Sequence, residues 1–377
     1  MKSPGKRPEP RFGWFVPIDG DGKHIGTRRA ERPPTFEYLR EVVETAEKNG
    51  YYSLLIPTRF ANGLFEEGAP LAETWTTATA LAAVTHKIRF LIAVRPGFIS
   101  PGLFAQMAAT LNQISGGRID INVVPGGIKG DFERFGETSD HATRYKRAEE
   151  FIRACRALWA SPEPTVFHGQ HVTLDGAMVS PSPVDDGPNF YLGGASPSAL
   201  KLAGQESDVY LLWIQPPEDI SSFIQRANKE FVEAGREPRY GLRTHLIVRP
   251  TETEAWDDAG ELLSMADVVV KKQRASVVVA PQSVNNLDPV TVFGDQDLEN
   301  YRLDRHLWNG ISTVRVNCGT ALVGTPEQVA GELLRYWRMG IDEFILSGFP
   351  HVEECRRISH DLLPILKILI QQEKERM

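Results

Sequence analysis

Short apolar runs rich in β-branched and aromatic residues recur along the chain, and a longer stretch with helical periodicity follows each one. The runs fall at residues 11–17 (RFGWFVP), 52–56 (YSLLI), 88–94 (IRFLIAV), 118–124 (RIDINVV), 189–194 (NFYLGG), 208–213 (DVYLLW), 240–248 (YGLRTHLIV) and 342–347 (DEFILS). Most lack an apolar–polar alternation, which is what strands covered on both faces of a parallel sheet require. Helical patterns occupy 36–49, 71–85, 104–114, 143–159, 198–205, 217–234, 252–265 and 326–339, and a last one spans 352–371. Thr35 and Thr325 stand where N-caps belong, with Pro326 at a first helical turn. Eight strand–helix alternations predict an α/β fold, a TIM (β/α)8 barrel with insertions, rather than an open doubly wound sheet.

A barrel of this kind needs about 250 residues, so a chain of 377 leaves some to place. Residues 1–10 show no periodicity and are expected to be a flexible tail, with 11–377 forming a single barrel. One insertion is expected near 161–183, where the turn-rich TVFHGQHVTL reads as a hairpin. The other spans 266–325, the longest irregular stretch, expected to be a lid over the barrel mouth.

Composition narrows the partners. A net charge of −7 argues against nucleic acid, and no apolar run is long enough to span a bilayer. The opening MKSPGKRPEP has no apolar core, so no signal peptide is expected. Cys155, Cys318 and Cys355 make an odd count without CxxC spacing, which points to a reducing cytoplasm and no structural zinc. His141, His168 and His171 lack metal-ligand spacing, so no metal is expected.

In a barrel the chemistry sits at the C-terminal ends of the strands. The polar residues there are Asp19, Thr58 and Arg59, Arg95, Asn122, the turn Gly193-Gly194-Ala195-Ser196, Trp213, the pair Arg243 and His245, and Phe349 to His351. The small residues of the turn let backbone N–H groups approach an anion at a helix N-terminus, though the same residues equally make a tight strand–helix turn. Arg144 and Tyr145 can add a guanidinium and a hydroxyl; alone, they read as surface helix. Arg243 and His245 are two apart and share one strand face, which suits oxyanion binding and proton transfer near neutral pH. Arg315 near the end of the expected lid is a further cation, equally readable as a solvated loop arginine.

Taken together, PIDGDGKHIGT, LLIPTRF, FLIAVRPGFISP, AATLNQISGGRIDINVV, RYKRAEEFIR, YLGGASPSA, VYLLWIQPPE, YGLRTHLIVR, WNGISTVRVNCGTALVG and FILSGFPHVEE resemble the bacterial-luciferase-like flavin monooxygenases. Within that group they resemble the alkanesulfonate monooxygenases, with the motifs in the same order from about residue 11 to 365. The resemblance implies a cytoplasmic two-component enzyme, a homo-dimer or homo-tetramer. A separate NAD(P)H-dependent reductase would supply it with reduced FMN, and oxygen activated on that flavin would split the C–S bond of a sulfonate into sulfite and an aldehyde. It places Thr58, Arg59, Asn122, Arg144, Tyr145, Ala195 and Ser196 at the flavin. Arg243, His245 and Arg315 become the catalytic set, and Asp19, Trp213, Phe349 and His351 line the substrate pocket.

The chain departs from that pattern at several points. Asp19 stands in place of a histidine, the second loop lacks its cysteine and is longer at 61–70 (ANGLFEEGAP), Pro125 replaces a threonine, and Phe349 replaces a tyrosine. A carboxylate accepts hydrogen bonds from sugar hydroxyls, so Asp19 raises the expectation of a sulfonated sugar such as sulfoquinovose. The alternatives on the same barrel are oxygenation of dimethyl sulfone or a pyrimidine ring, or a deazaflavin-dependent oxidoreductase.

Overall fold

The computed structural model describes residues 9–127, 130–278, 301–315 and 317–376. In chain order, β1 (Arg11–Phe15) leads to α1 (Phe36–Lys48), β2 (Ser53–Ile56) to α2 (Thr74–Ala83), and β3 (Arg89–Val94) to α3 (Pro101–Ser115). β4 (Ile119–Val123) is followed by the single turn α4 (Asp131–Arg134), by α5 (His141–Ala160) and by the hairpin β5 (Thr165–His168) and β6 (Thr173–Ala177). β7 (Phe190–Gly193) leads to α6 (Pro197–Glu206), and β8 (Val209–Trp213) to α7 (Pro217–Glu233). β9 (Tyr240–Val248) precedes α8 (Glu252–Leu263), α9 (Val268–Val278), and the short strands β10 (Arg302–Asp304), β11 (Leu307–Trp308) and β12 (Ala321–Gly324). Then come α10 (Pro326–Arg338), β13 (Ile341–Ser347), α11 (His351–Arg357), a π turn (Ile358–Leu362) and α12 (Leu363–Arg376).

The eight runs read from the sequence are the eight barrel strands. β1, β2, β3, β4, β7, β8, β9 and β13 pair in that order, every pair parallel, and β13 closes back onto β1. The (β/α)8 barrel is therefore complete. Thr35 accepts from the Tyr38 backbone N–H, and Thr325 forms a capping box with Gln328, so both expected caps hold their helices. The hairpin lies inside 161–183, as expected. Residues 1–8 of the expected tail and 279–300 of the expected lid lie outside the described residues. Among the described residues no helix is long and apolar enough to cross a membrane.

Parallel register puts bridged partners on the same face, which defines the barrel interior. Phe15, Leu55, Leu91, Tyr191, Val209, Leu211 and Ile345 form its apolar layer, apart from the larger cluster between sheet and helices. Gly13 is needed below Phe15, because a Cβ there would sit 2.5 Å from Ser53 Oγ. At the opposite end from the mouth, the Tyr191 hydroxyl donates to Glu343 Oε2 at 3.0 Å. Burial pushes the Glu343 carboxyl up to about 7.

That shift predicts a pH dependence. Stability from the raised carboxyl is fully present below its unfolded value near 4.5 and is lost as pH climbs through about 7. Glu343→Gln keeps an acceptor for Tyr191 without the titration. Its urea midpoint relative to the unmodified protein should rise from pH 5 to pH 8, by an amount worth up to about 3 kcal/mol. A pH-independent difference would refute the assignment.

The described residues after β9 hold more regular structure than their composition suggested. β9 is nine residues long and has more neighbours than a barrel strand needs. Its first half, Tyr240 to Arg243, pairs with β8, while its second half, His245 to Val248, pairs with β12. β11 and β10 extend that side sheet antiparallel. A second apolar core, including Ile25, Leu64, Phe65, Trp256, Trp308, Val314 and Phe349, fills the space beneath it.

Candidate active site

The strands' C-terminal ends open into a cavity of about 320 Å³. Of the residues singled out in the sequence, Thr58, Arg59, Asn122, Arg144, Tyr145, Ala195, Ser196, Trp213 and Arg243 line it directly. Asp19, His245, Arg315, Phe349 and His351 do not; they are buried around and behind Arg59 and Arg243.

One end of the cavity is shaped for an anion. Gly194 has φ +125°, and a Cβ there would lie 3.0 Å from Ala199 Cβ and 3.1 Å from the Tyr145 hydroxyl. Ser196 caps α6, accepting from the Ala199 N–H at 3.2 Å, and contacts the Tyr145 hydroxyl. The Tyr210 hydroxyl donates to the Gly194 carbonyl and fixes the turn. Arg144 donates to Pro125 O at 3.2 Å and Ser139 O at 2.6 Å, and its guanidinium lies over Phe132. Its charge is thus held by neutral partners at the cavity wall. Backbone N–H groups at a helix start, a hydroxyl and a guanidinium are the donors a phosphate would need, and Asn122, Thr58 and Arg59 continue the wall beyond them. These residues fit FMN.

The floor is cationic. Arg59 Nε lies 3.0 Å from Asp19 Oδ2, with both side chains buried. Asp19 Oδ1 accepts the Gly63 N–H at 2.7 Å. Asn62, beside Gly63, organises the long second loop. It donates to Asp19 O and Pro70 O at 2.7 and 2.9 Å and accepts the Leu64 and Phe65 N–H groups. Asp19 is therefore committed to Arg59 and to this loop, and the expectation that it receives sugar hydroxyls loses its geometric basis.

Arg243 and Arg315 lie deeper, their guanidinium carbons 4.1 and 5.1 Å from the Phe15 ring centroid. In each, Nε and Nη2 are buried without a hydrogen-bond partner among the described residues. Burial brings the Arg315 pKa down to about 9, helped by the Arg59 and Arg243 charges, so it is still cationic at neutral pH. Burial lowers Arg243 in the same direction.

His245 does not behave as a group poised near neutral pH. Its Nε2 donates to Cys318 O at 2.9 Å, its Nδ1 accepts from Ser347 Oγ at 2.8 Å, and Phe349 stacks on the ring. Burial first, then Arg315 and Arg243, holds its pKa well below the usual imidazole value. The ring is neutral and fixed. His351 is held neutral by the same causes, edge-on to Trp14 and Phe349, while its backbone N–H donates to Asp21 Oδ2 at 2.6 Å.

Three lining residues had no assigned role in the sequence. Arg95 is buried over the Phe60 and Phe132 rings and donates to Thr58 O. Its place after the third strand was the available signal. Asn62 carried one in its Asn-Gly pair. Arg274 of α9 had none: it donates to Val314 O and to Asn62 O at 3.1 and 2.9 Å, tying α9 across the mouth to the second loop.

A (β/α)8 barrel with a small-residue turn, a guanidinium and hydroxyls at its mouth and a cationic floor is the arrangement of an enzyme site rather than a packing surface. The model of the luciferase-like monooxygenases matches residues 10–343, and the chain belongs to that flavin-dependent family. Solved structures share the fold. A riboflavin lyase with modified FMN and riboflavin superposes with a TM-score of 0.76 at 20% identity, covering 96% of this chain and 92% of that one. DmoA from Hyphomicrobium sulfonivorans gives 0.75 at 18%, covering 97% and 89%. EDTA monooxygenase from Chelativorans sp. BNC1 gives 0.73 at 17%, covering 97% and 94%.

Proposed function

We propose that the protein is a two-component monooxygenase that takes reduced FMN from a separate NAD(P)H-dependent reductase and cleaves the C–S bond of an organosulfonate. Sulfonate, O2 and reduced FMN give aldehyde, sulfite, water and oxidised FMN. The observation that supports this reading is the pair of buried guanidinium edges of Arg243 and Arg315, whose Nε and Nη2 donors have no acceptor among the described residues. A sulfonate offers three oxygens at fixed angles, which such edges bind in bidentate fashion. Neither neutral dimethyl sulfone nor a pyrimidine ring would balance two buried cations.

Each residue has a part. Gly194, Ala195, Ser196, Tyr145 and Arg144 would hold the FMN phosphate, with Asn122, Thr58 and Arg59 beside the ring. When bound, reduced FMN supplies the electrons and activates O2. Arg243 and Arg315 bind and orient the sulfonate. Neutral His245, locked at both nitrogens, keeps the wall beside them dry, with Phe349 and His351 packed against it. Trp213, next to Arg243 in the β8–β9 register, contacts the rest of the substrate.

The test is sulfite release across a sulfonate panel including octanesulfonate and sulfoquinovose, with reduced FMN and oxygen. Release above the protein-free rate is expected for at least one member. Sulfite from none, with oxidation of dimethyl sulfone or turnover only on a reduced deazaflavin, would replace the reading.

A further inference from the structure

The charge on the cavity floor exceeds what one sulfonate can neutralise. Three guanidiniums, Arg59, Arg243 and Arg315, meet a single carboxylate, Asp19, among the described residues. Asp19 is spent on Arg59 at 3.0 Å and on the Gly63 N–H. His245 and His351 are neutral and add no charge. Arg243 and Arg315 feel the Asp19 charge only at a distance, and among the described residues neither has a carboxylate on its Nε–Nη2 edge.

The unpartnered atoms have a pattern. In each arginine they are Nε and Nη2, the two donors of one guanidinium edge. Each edge matches one carboxylate or one face of a sulfonate. Both guanidiniums lie against the same Phe15 ring, Arg243 at the cavity wall and Arg315 buried behind it, so the two edges are close neighbours. The cofactor phosphate is no candidate for either, because the cradle at Gly194 to Ser196 has its own donors in Arg144 and Tyr145. Leaving a buried cation unpaired is among the costliest arrangements in a protein interior. A monoanionic substrate would leave one such cation in the closed complex.

We propose that the substrate is a compact dianion, a sulfonate carrying a second acid group on the same short carbon skeleton, with one group on the open edge of Arg243 and the other on that of Arg315. This rests on the desulfonation reading and narrows it from organosulfonates in general to sulfocarboxylates and disulfonates. It also gives Arg315 a role distinct from Arg243: selecting the second charge.

The experiment compares ethanesulfonate with sulfoacetate and ethane-1,2-disulfonate, three small probes that differ mainly in charge. Affinities are measured by calorimetry on the full-length protein, first without flavin and then anaerobically with reduced FMN bound. At least one dianion is expected to bind about tenfold or more tightly than ethanesulfonate in both states. Arg315→Met should bring the probes to within about twofold of each other while ethanesulfonate still binds. A preference that disappears once reduced FMN is present overturns the proposal, because the second cation then answers to the flavin ring. Equal affinities in both states also overturn it and leave desulfonation standing. No binding by any sulfonate in either state removes the desulfonation reading itself. The comparison in the unmodified protein decides these outcomes even if the variant does not fold.

Discussion

Arg243→Met is expected to lower kcat/KM for sulfite release by about 10²–10³-fold while FMN affinity changes by less than about twofold. The substitution removes a two-donor edge in a fully buried position, where each hydrogen bond to a charged group is worth about 1.5–3 kcal/mol. Arg243→Lys should not restore the rate, because an ammonium is a point charge and cannot present the flat fork. The same variant carries a second readout. The Arg243 cation is buried with Nε and Nη2 unpartnered among the described residues, so replacing it by an apolar side chain of similar length should raise the melting temperature of the free protein. Loss of activity with gain of stability marks a residue kept for the substrate. Wild-type kcat/KM in Arg243→Met would remove the proposed site.

Gly194→Ala is expected to weaken FMN binding by about 10- to 100-fold, with riboflavin, which lacks the phosphate, affected far less. The φ of +125° is one that L side chains rarely adopt, and the new Cβ would meet Ala199 and the Tyr145 hydroxyl. Relief of either strain moves the turn whose N–H groups would face the phosphate in the proposed binding mode. Fluorescence titrations with both ligands check this. An equal loss for both would assign Gly194 to the ring rather than to the phosphate.

The barrel was legible because its strands are covered on both faces. RFGWF, RFLIAV and VYLLW read as apolar runs for the same reason that they are buried. The turn at residues 193–196 was legible too, since GGAS carries its own backbone requirement and Tyr145 with Arg144 reaches it from a neighbouring helix. Partner identity was not. Nothing near residue 19 shows that Asp19 meets Gly63 and Arg59 across the first and second loops. The sequence shows a histidine two residues from an arginine and suggests a titrating group. It does not show that burial, with Arg315 and Arg243 nearby, keeps His245 neutral. β10, β11 and β12 were read as irregular because strands of two to four residues leave no periodicity, and β12 exists only through its pairing with β9. Arg274 had no local signal because its acceptors lie in the second loop and at Val314.

The fork in β9 has a consequence for how new specificities could arise on this scaffold. Arg243 is paired on both sides within the closed cylinder, whereas His245 belongs to the stretch where the insertion takes over as neighbour. Arg315 arrives on that insertion, shortly before β12. One of the two proposed anion-binding arginines is thus cast into the permanent framework, and the other rides on a removable module docked along a single strand. If Arg315 binds substrate as proposed, exchanging that module between relatives would change the ligand's charge requirement while every barrel hydrogen bond, and the Gly194–Ser196 turn two strands away, stayed as it was.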